Sequence, residues 1–520
     1  MTTLPPLLRR LAAGLAALLL VLPLAASADP GDISAAARGV VRVVIVEVDN
    51  GQLTPLSHGS GFAVAPERIV TNAHVVQEVA GNPMLTIGLI PSQGSGSPVY
   101  GRVIAVDARR DLALIATTSA MQLPPLTIAG NPQTDSGNVS ALGYPMNVDR
   151  AQGLSLTDIF HPQPPVRSTG ALSGRRPARD FDSLLHTAPI ARGSSGGPLL
   201  DDCGRVLGVN SFGTDSGSAD AEFYFAVSTR ELLPFLRANG ITPRVNGGPC
   251  RSLADVEAQE RQQSERAQIA SDARTAADQQ RTALRKEQLS RDAEFAILAE
   301  RESGLALSLI LLMAAMGAAG LAIHAHHTGL RHNAEIGFVL AGVAVLGAGV
   351  AWTARPGFDQ IGPRIDAMMR NDAAADKPAV TTGQPAEGAL VCVIDAQRSR
   401  VTNSATDDVA LAWSAGGCVN GRTQYGLASG EWARVLVPAG EDSVSVNRFD
   451  PVSREYHVER YLLDRDAMAR VRGARAALKA PTCGGGQDAA LSLGSQQAAV
   501  IAALPPQPNE RLVYKCSPAR

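Results

Sequence analysis

Arg192-Gly193-Ser194-Ser195-Gly196-Gly197-Pro198-Leu199 sets a serine among three glycines. Glycine has no Cβ, so such a segment turns tightly and can aim successive N–H groups at one point. Ser195 is the candidate nucleophile, and the amides of Gly193 and Ser195 are the candidate oxyanion hole. Ser194 has the wrong place relative to the two glycines that follow. A serine hydroxyl is a poor nucleophile at neutral pH; it needs a histidine to take its proton and a carboxylate to hold that histidine in one tautomer. Upstream, Thr71-Asn72-Ala73-His74-Val75-Val76 supplies His74, and Asp111-Leu112-Ala113-Leu114-Ile115 supplies Asp111. Asp107 is the rival carboxylate, but it precedes a polar Ala-Arg-Arg turn, whereas Asp111 opens an apolar, strand-like run. Taken singly, each piece reads as a glycine-rich turn, a packed histidine or a strand start. Their joint order, His then Asp then Ser, differs from the orders of subtilisin and the α/β-hydrolases.

Residues 40–236 resemble the trypsin-like protease domain of the HtrA/Deg family. Besides the three segments above, the likeness runs through Gly59-Ser60-Gly61-Phe62-Ala63-Val64, Val103-Ile104-Ala105-Val106-Asp107, Leu142-Gly143-Tyr144-Pro145, Arg205-Val206-Leu207-Gly208-Val209-Asn210 and Phe225-Ala226-Val227. The resemblance implies a serine endopeptidase built from two six-stranded antiparallel barrels, with catalytic His74, Asp111 and Ser195 in the cleft between them. Alternating apolar runs such as residues 41–48, separated by Gly, Pro and Asn turns, independently predict a mainly β fold. Trypsin-like enzymes that cut after Lys or Arg carry an acid six positions before the serine; here that position is Pro189. The expected substrate pocket, formed by Pro189, Ile190, Ser211, Phe212 and Gly213, therefore favours an apolar residue; Phe212 reads equally well as core. Relatives usually continue into PDZ domains. This chain shows neither a Gly-Leu-Gly-Phe-like loop nor a PDZ-sized β-rich segment at that point, so PDZ-based substrate capture is not carried over.

The rest of the chain speaks about place. With 47 basic and 49 acidic residues among 520, the net charge is −2, which argues against a general nucleic-acid binder. Arg9-Arg10, an apolar run over 11–24 and Ala26-Ser27-Ala28 read as a signal peptide at 1–28, with an uncleaved anchor as the alternative. The protease domain is assigned to 29–250. Residues 251–303 lack Pro and Gly and favour helix, but Leu253, Val256, Ile269, Leu284, Leu289, Phe295 and Leu298 keep no heptad, so a helical stalk is expected, with a coiled coil as the minority option. Two stretches, 304–324 and 336–353, would be about 31 Å and roughly 27 Å long as helices, near the thickness of a bilayer core. Neither contains Asp, Glu, Lys or Arg, and both are read as transmembrane helices joined by a short loop at 325–335. His324, His326, His327 and His332 match no zinc spacing, so no metal or other cofactor is expected. A linker at 354–387 leads to a small, mainly β C-terminal domain at 388–520. In it, Trp413-Ser414-Ala415-Gly416-Gly417-Cys418-Val419-Asn420-Gly421 faintly resembles the opening of a MORN-type repeat.

The six cysteines divide evenly around the apolar pair: Cys203 and Cys250 before it, Cys392, Cys418, Cys483 and Cys516 after it. All six are disulfide candidates, an arrangement suited to an oxidising compartment on both flanks; sequence does not choose among the three pairings of the later four. The basic residues Arg301, Arg355 and Arg364 on the outer flanks run against the positive-inside rule, but long domains translocate largely regardless of charge. The expected protein is a periplasmic serine endopeptidase anchored in the inner membrane. Its partners would be unfolded or exposed polypeptides of the envelope, with homo-oligomers open and with an envelope protein or the cell wall for the C-terminal domain. The alternative is an envelope scaffold or stress sensor that uses a protease fold for binding. Residues 149–182 are read as a regulatory loop or an insertion.

Overall fold

The computed structural model describes residues 30–49, 52–94, 98–121, 123–130, 135–155, 157–178, 181–214, 222–375 and 387–519. The signal-peptide reading at 1–28 lies outside them. The first barrel begins with Val40–Asp49 (β1), whose β-branched run VVRVVIVEVD suits a pleated, buried surface. Gln52–Ala65 (β2), Arg68–Thr71 (β3), Leu85–Pro91 (β4), Val99–Asp107 (β5) and Leu112–Thr117 (β6) complete it in the closed order β1-β2-β3-β6-β5-β4. Val41, Val43, Ile45, Ile69, Ile87, Leu89 and Ile115 fill its interior.

Gly137–Gly143 (β7), Val166–Ala178 (β8), Phe181–His186 (β9), Pro198–Leu200 (β10), Val206–Gly213 (β11) and Tyr224–Ser228 (β12) close a second barrel in the order β10-β11-β12-β9-β8-β7. Closure leaves neither barrel with a free edge. A third apolar cluster takes Val40, Phe62, Val70 and Leu114 from the first barrel and Leu142, Leu200, Val209 and Val227 from the second, so the barrels share a core where they meet. The 149–182 segment is largely built into this framework. Its long strand β8 pairs with β7 over Val166–Leu172 and with β9 over Leu172–Ala178.

The C-terminal part is a nine-stranded antiparallel sheet with two helices, Arg465–Ala476 and Gly486–Ala502. Gly388–Ile394, the first strand, lies beside Glu510–Pro518, the last, with Cys392 opposite Cys516. Disulfides join Cys392 to Cys516 and Cys418 to Cys483, and a third joins Cys203 to Cys250 in the protease region. The Trp413–Gly421 stretch is a strand end and turn whose Trp413 is buried against Phe449 (4.7 Å), Trp432 (5.4 Å) and Tyr425 (5.8 Å between ring centroids).

This sheet and the barrels form one compact unit. Asp32, in helix Pro30–Ala37, and Arg400 form an ion pair with both side chains 2% exposed. Asn509 donates to the other Asp32 oxygen at 2.9 Å. Arg251 donates to the carbonyls of Ala396 (2.6 Å), Gln397 (2.9 Å) and Ser399 (2.7 Å).

A second unit spans residues 261–382, and its described residues, 261–375, are mostly helical. Stalk and first apolar stretch are one continuous helix, Leu253–His327, because nothing between them breaks it. The second helix is Arg331–Thr353, and the connection is shorter than expected since helical hydrogen bonding resumes at Arg331. Both helices are long and apolar enough to cross a membrane. A Cβ on Gly337 would lie 2.7 Å from that of Ala322, a close approach that only small residues permit. Part of the expected linker is instead helix Ile361–Ala375: its proline falls in the first turn, where it is tolerated, and helix formers follow. Arg364 from this helix grips Glu300 through two 2.9 Å bonds.

Removing one member of a buried ion pair strands the other. Arg400→Met is expected to destabilise the barrel-plus-sheet unit by about 3–5 kcal/mol, read as a lower urea midpoint and faster proteolytic release of the C-terminal sheet; Asp32→Leu added to it recovers most of the loss.

Candidate active site

His74 sits on a single helical turn, Ala73–Val76, that follows β3 directly. Asn72, at the head of the turn, donates from Nδ2 to the Asp111 carbonyl at 2.8 Å. Asp111, just before β6, has φ +52°, a left-handed conformation that Asp tolerates better than most residues. Its carboxylate faces the helical turn: Oδ1 accepts from the His74 amide at 3.1 Å, and Nδ1 lies 2.9 and 3.0 Å from Oδ1 and Oδ2. Ser211 Oγ donates to Oδ2 at 2.5 Å. Burial acts to raise the Asp111 pKa, but the hydrogen bonds and charge of His74 and the Ser211 hydroxyl outweigh it and hold the carboxyl below its ordinary value. An ionised carboxylate only accepts, so Nδ1 carries the proton and, in the neutral ring, Nε2 is the free base.

The nucleophile turn has no room for side chains. A Cβ on Gly193 (φ +95°) would lie 2.3 Å from the Tyr144 oxygen, and one on Gly196 (φ +88°) 2.1 Å from the Ser60 oxygen. On Gly197 it would lie 2.0 Å from the Leu142 oxygen. Two carbonyls orient the turn's amides. Met146 N–H holds the Arg192 oxygen at 2.8 Å, and Gly197 N–H holds the Ser194 oxygen at 3.1 Å. In a trans peptide the N–H points opposite to the C=O. The Gly193 and Ser195 amides therefore face the other way, and neither donates to an acceptor among the described residues. Two amides without a protein acceptor beside a serine suit a developing oxyanion.

Ser195 Oγ donates to the Ser211 carbonyl at 2.8 Å, so its proton is not directed at His74 in this state. Ser211 thus connects the turn to Asp111, a position that sequence reasoning had assigned only to pocket wall. Its hydroxyl is committed to Asp111 and its carbonyl to Ser195. Of the other expected pocket residues, Pro189 is exposed and its carbonyl accepts from Ser168 Oγ. Ile190 is half-buried against the second-barrel core, and Phe212 stacks on Phe225 at 4.8 Å. Gly213 lies over Tyr224, whose ring a Cβ there would approach to 2.8 Å. Tyr224 in turn faces His186 at 6.0 Å. His186 is fully buried, and burial pushes its pKa down to about 4. Neither residue carries a sequence motif that would have flagged it.

Residues 59–209 match the model of the trypsin-like peptidase domain. The chain therefore carries a trypsin-like peptidase domain, and that domain is similar to those of HtrA serine proteases. Among its relatives, serine protease Rv3671c of Mycobacterium tuberculosis is 32% identical over 203 residues, spanning 37% of this chain and 45% of the relative. The mitochondrial serine protease HTRA2 of Bos taurus is 32% identical over 189 residues, spanning 36% and 37%. The crystal structure of Rv3671c protease from M. tuberculosis in its active form aligns at 26% identity over 44% of this chain and 94% of that one, with a TM-score of 0.31. The chain spans less than half the length of these curated relatives.

Gly196→Ala adds a methyl group where Ser60 O and Thr71 Oγ1 stand 2.1 and 2.2 Å away, in a left-handed conformation. It is expected to destabilise the fold by about 3 kcal/mol or more, read as a depressed thermal midpoint.

Proposed function

We propose that this protein is a membrane-anchored serine endopeptidase. One observation carries the reading above the others: two unpaired amides, Gly193 and Ser195, face away from pinned carbonyls beside the His74–Asp111 pair. In turnover Ser195 Oγ rotates from the Ser211 carbonyl to His74 Nε2, gives up its proton and attacks the scissile carbonyl. The two amides take the oxyanion. His74 then hands the proton to the leaving amine, while Asp111 keeps the ring in place and stabilises its charged form. Pro189 offers no charge to a cationic side chain, so cleavage after apolar residues is the favoured specificity.

Ser195→Ala is expected to abolish labelling by a fluorophosphonate probe and to lower peptide hydrolysis on the order of a million-fold, with an unchanged unfolding midpoint. Equal hydrolysis by the variant removes Ser195 from the role. The Ser195 rotamer favours a second reading, an envelope scaffold or sensor that rests without turnover. A wild-type chain left unlabelled even with unfolded protein added would decide for it.

Two spans return the chain to the side from which it came, and the sheet after them packs on the barrels before them. Both domains are thus proposed to share one side. Three disulfides, with no free cysteine among the described residues, support the oxidising face, the periplasm, where exposed envelope polypeptides are the substrates. In spheroplasts, added protease is expected to reach both domains; protection of either one contradicts this topology.

A further inference from the structure

Behind the Gly193 turn lies a buried charged cluster that catalysis by the triad leaves unused. Arg42 of β1 pairs with Asp149, of helix Met146–Ala151, through Nη2 and Oδ1 at 3.0 Å. His58 of β2 brings Nε2 to 3.2 Å from the other Asp149 oxygen. The Arg42 guanidinium lies over the Tyr144 ring, 4.7 Å from its centroid. Gln163 closes the cluster, with its side-chain oxygen 3.4 Å from Arg42 Nη2 and its carbonyl accepting from the Tyr144 hydroxyl at 3.0 Å. Asp149 Oδ2 and Arg42 Nη1 are buried without a well-formed hydrogen bond, an arrangement poorly suited to stability alone.

The contacts of His58 lead to the oxyanion turn. Its Nε2 lies 3.0 Å from the Tyr144 carbonyl; both neighbours of this nitrogen are acceptors, so it carries a proton. A Cβ on Gly193 would meet the same two atoms, Tyr144 O at 2.3 Å and His58 Nε2 at 2.9 Å. The Tyr144–Met146 segment also clamps the turn directly. Tyr144 N–H donates to Ser60 Oγ at 3.0 Å, and Ser60 Oγ donates to Gly193 O at 2.7 Å. Met146 N–H holds Arg192 O at 2.8 Å. Residues 144–146 thus grip the peptide that supplies an oxyanion amide, while Arg42 and His58, from the other barrel, hold the same segment through Asp149 and the Tyr144 carbonyl.

We propose that His58 is a positioning residue for the oxyanion hole, holding through Tyr144 and Asp149 the segment that keeps the Arg192–Gly193 peptide turned towards the reaction. The inference rests on the protease reading. Burial and Arg42 lower the His58 pKa, against the Tyr144 carbonyl and Asp149, so the ring is neutral at pH 7. The charged groups facing it are Arg42 and Asp149; the Tyr144 phenol, whose pKa burial raises, stays neutral. Protonation at Nδ1 keeps the Nε2–H donor but sets a second cation beside Arg42 in a buried cluster; since the folded value lies below the unfolded one, the stability that the neutral ring contributes is present above about pH 6.5 and is lost as pH falls towards the lowered value.

The full chain in detergent is assayed between about pH 5 and 8 for kcat and KM on an apolar chromogenic peptide, and for the rate of fluorophosphonate labelling. His58→Ala is expected to lower kcat roughly 10- to 100-fold while KM moves less than about threefold. His58→Gln keeps an N–H donor at similar reach but cannot charge; it is expected to retain about half or more of kcat at neutral pH and to lose one acid-side step of the profile. If His58→Ala does not fold, His58→Gln decides alone. A labelled wild type with an unaltered acid limb in His58→Gln overturns the role of His58. A wild type that never labels overturns the protease reading itself, and this inference with it.

Discussion

The hydroxyl of Ser60 holds the two barrels together at the point where chemistry is placed. It accepts from the Tyr144 amide, which follows the second barrel's first strand, and donates to the Gly193 carbonyl in the nucleophile turn. The Ser60 backbone engages the same turn, since its N–H donates to the Ser195 carbonyl at 2.8 Å and its own carbonyl accepts from Thr71 Oγ1 at 2.7 Å. Thr71 in turn lies just before Asn72 and His74. One residue of the first barrel therefore links the segment that carries His74 to the turn that carries Ser195, and any displacement of one barrel against the other breaks several bonds at once. A site assembled across a shared core gains rigidity from both halves.

What could be read from sequence follows from how local each constraint is. The candidate residues His74, Asp111 and Ser195 could be picked out in the sequence because each stands in a short segment whose neighbours are dictated by backbone geometry: a helical turn, a left-handed residue just before a strand, a turn between carbonyls. The barrels were legible from alternating apolar runs. The bond from Ser211 to Asp111 could not be foreseen, because nothing in Asn210-Ser211-Phe212 says which way the hydroxyl turns. His58 was invisible: a lone histidine in Leu56-Ser57-His58-Gly59 acquires meaning only from residues 86 and 91 positions further on, Tyr144 and Asp149.

The C-terminal sheet shows the same limit. Strands at Gly388–Ile394, Val409–Trp413 and Ser443–Asp450 carry recognisable apolar runs, whereas helix Gly486–Ala502 and strand Glu510–Pro518 carry weaker signals. The helix is rich in Ala, Gln and Ser without a strong apolar stripe, and its packing against Gly426–Ala428 depends on Gly494, where a Cβ would lie 2.3 Å from the Leu427 oxygen. Pairing of Cys392 with Cys516 could not be chosen from spacing because it follows from the register of that unrecognised last strand.

That register also sets an order of assembly. Glu510–Pro518 lies between Gly388–Ile394 and Glu455–Leu462, so the middle of the nine-stranded sheet stays open until the far end of the chain has been synthesised. The barrels, whose strands all lie before residue 229, meet no such delay. Domains generally fold as units in the order they emerge, and contacts distant in sequence form late. The peptidase domain thus completes itself first, and the partner that buries Asp32 arrives only after the two apolar helices have been made. Between those moments the nascent protein passes through a stage in which its peptidase half stands without Arg400 and Asn509, the partners of Asp32.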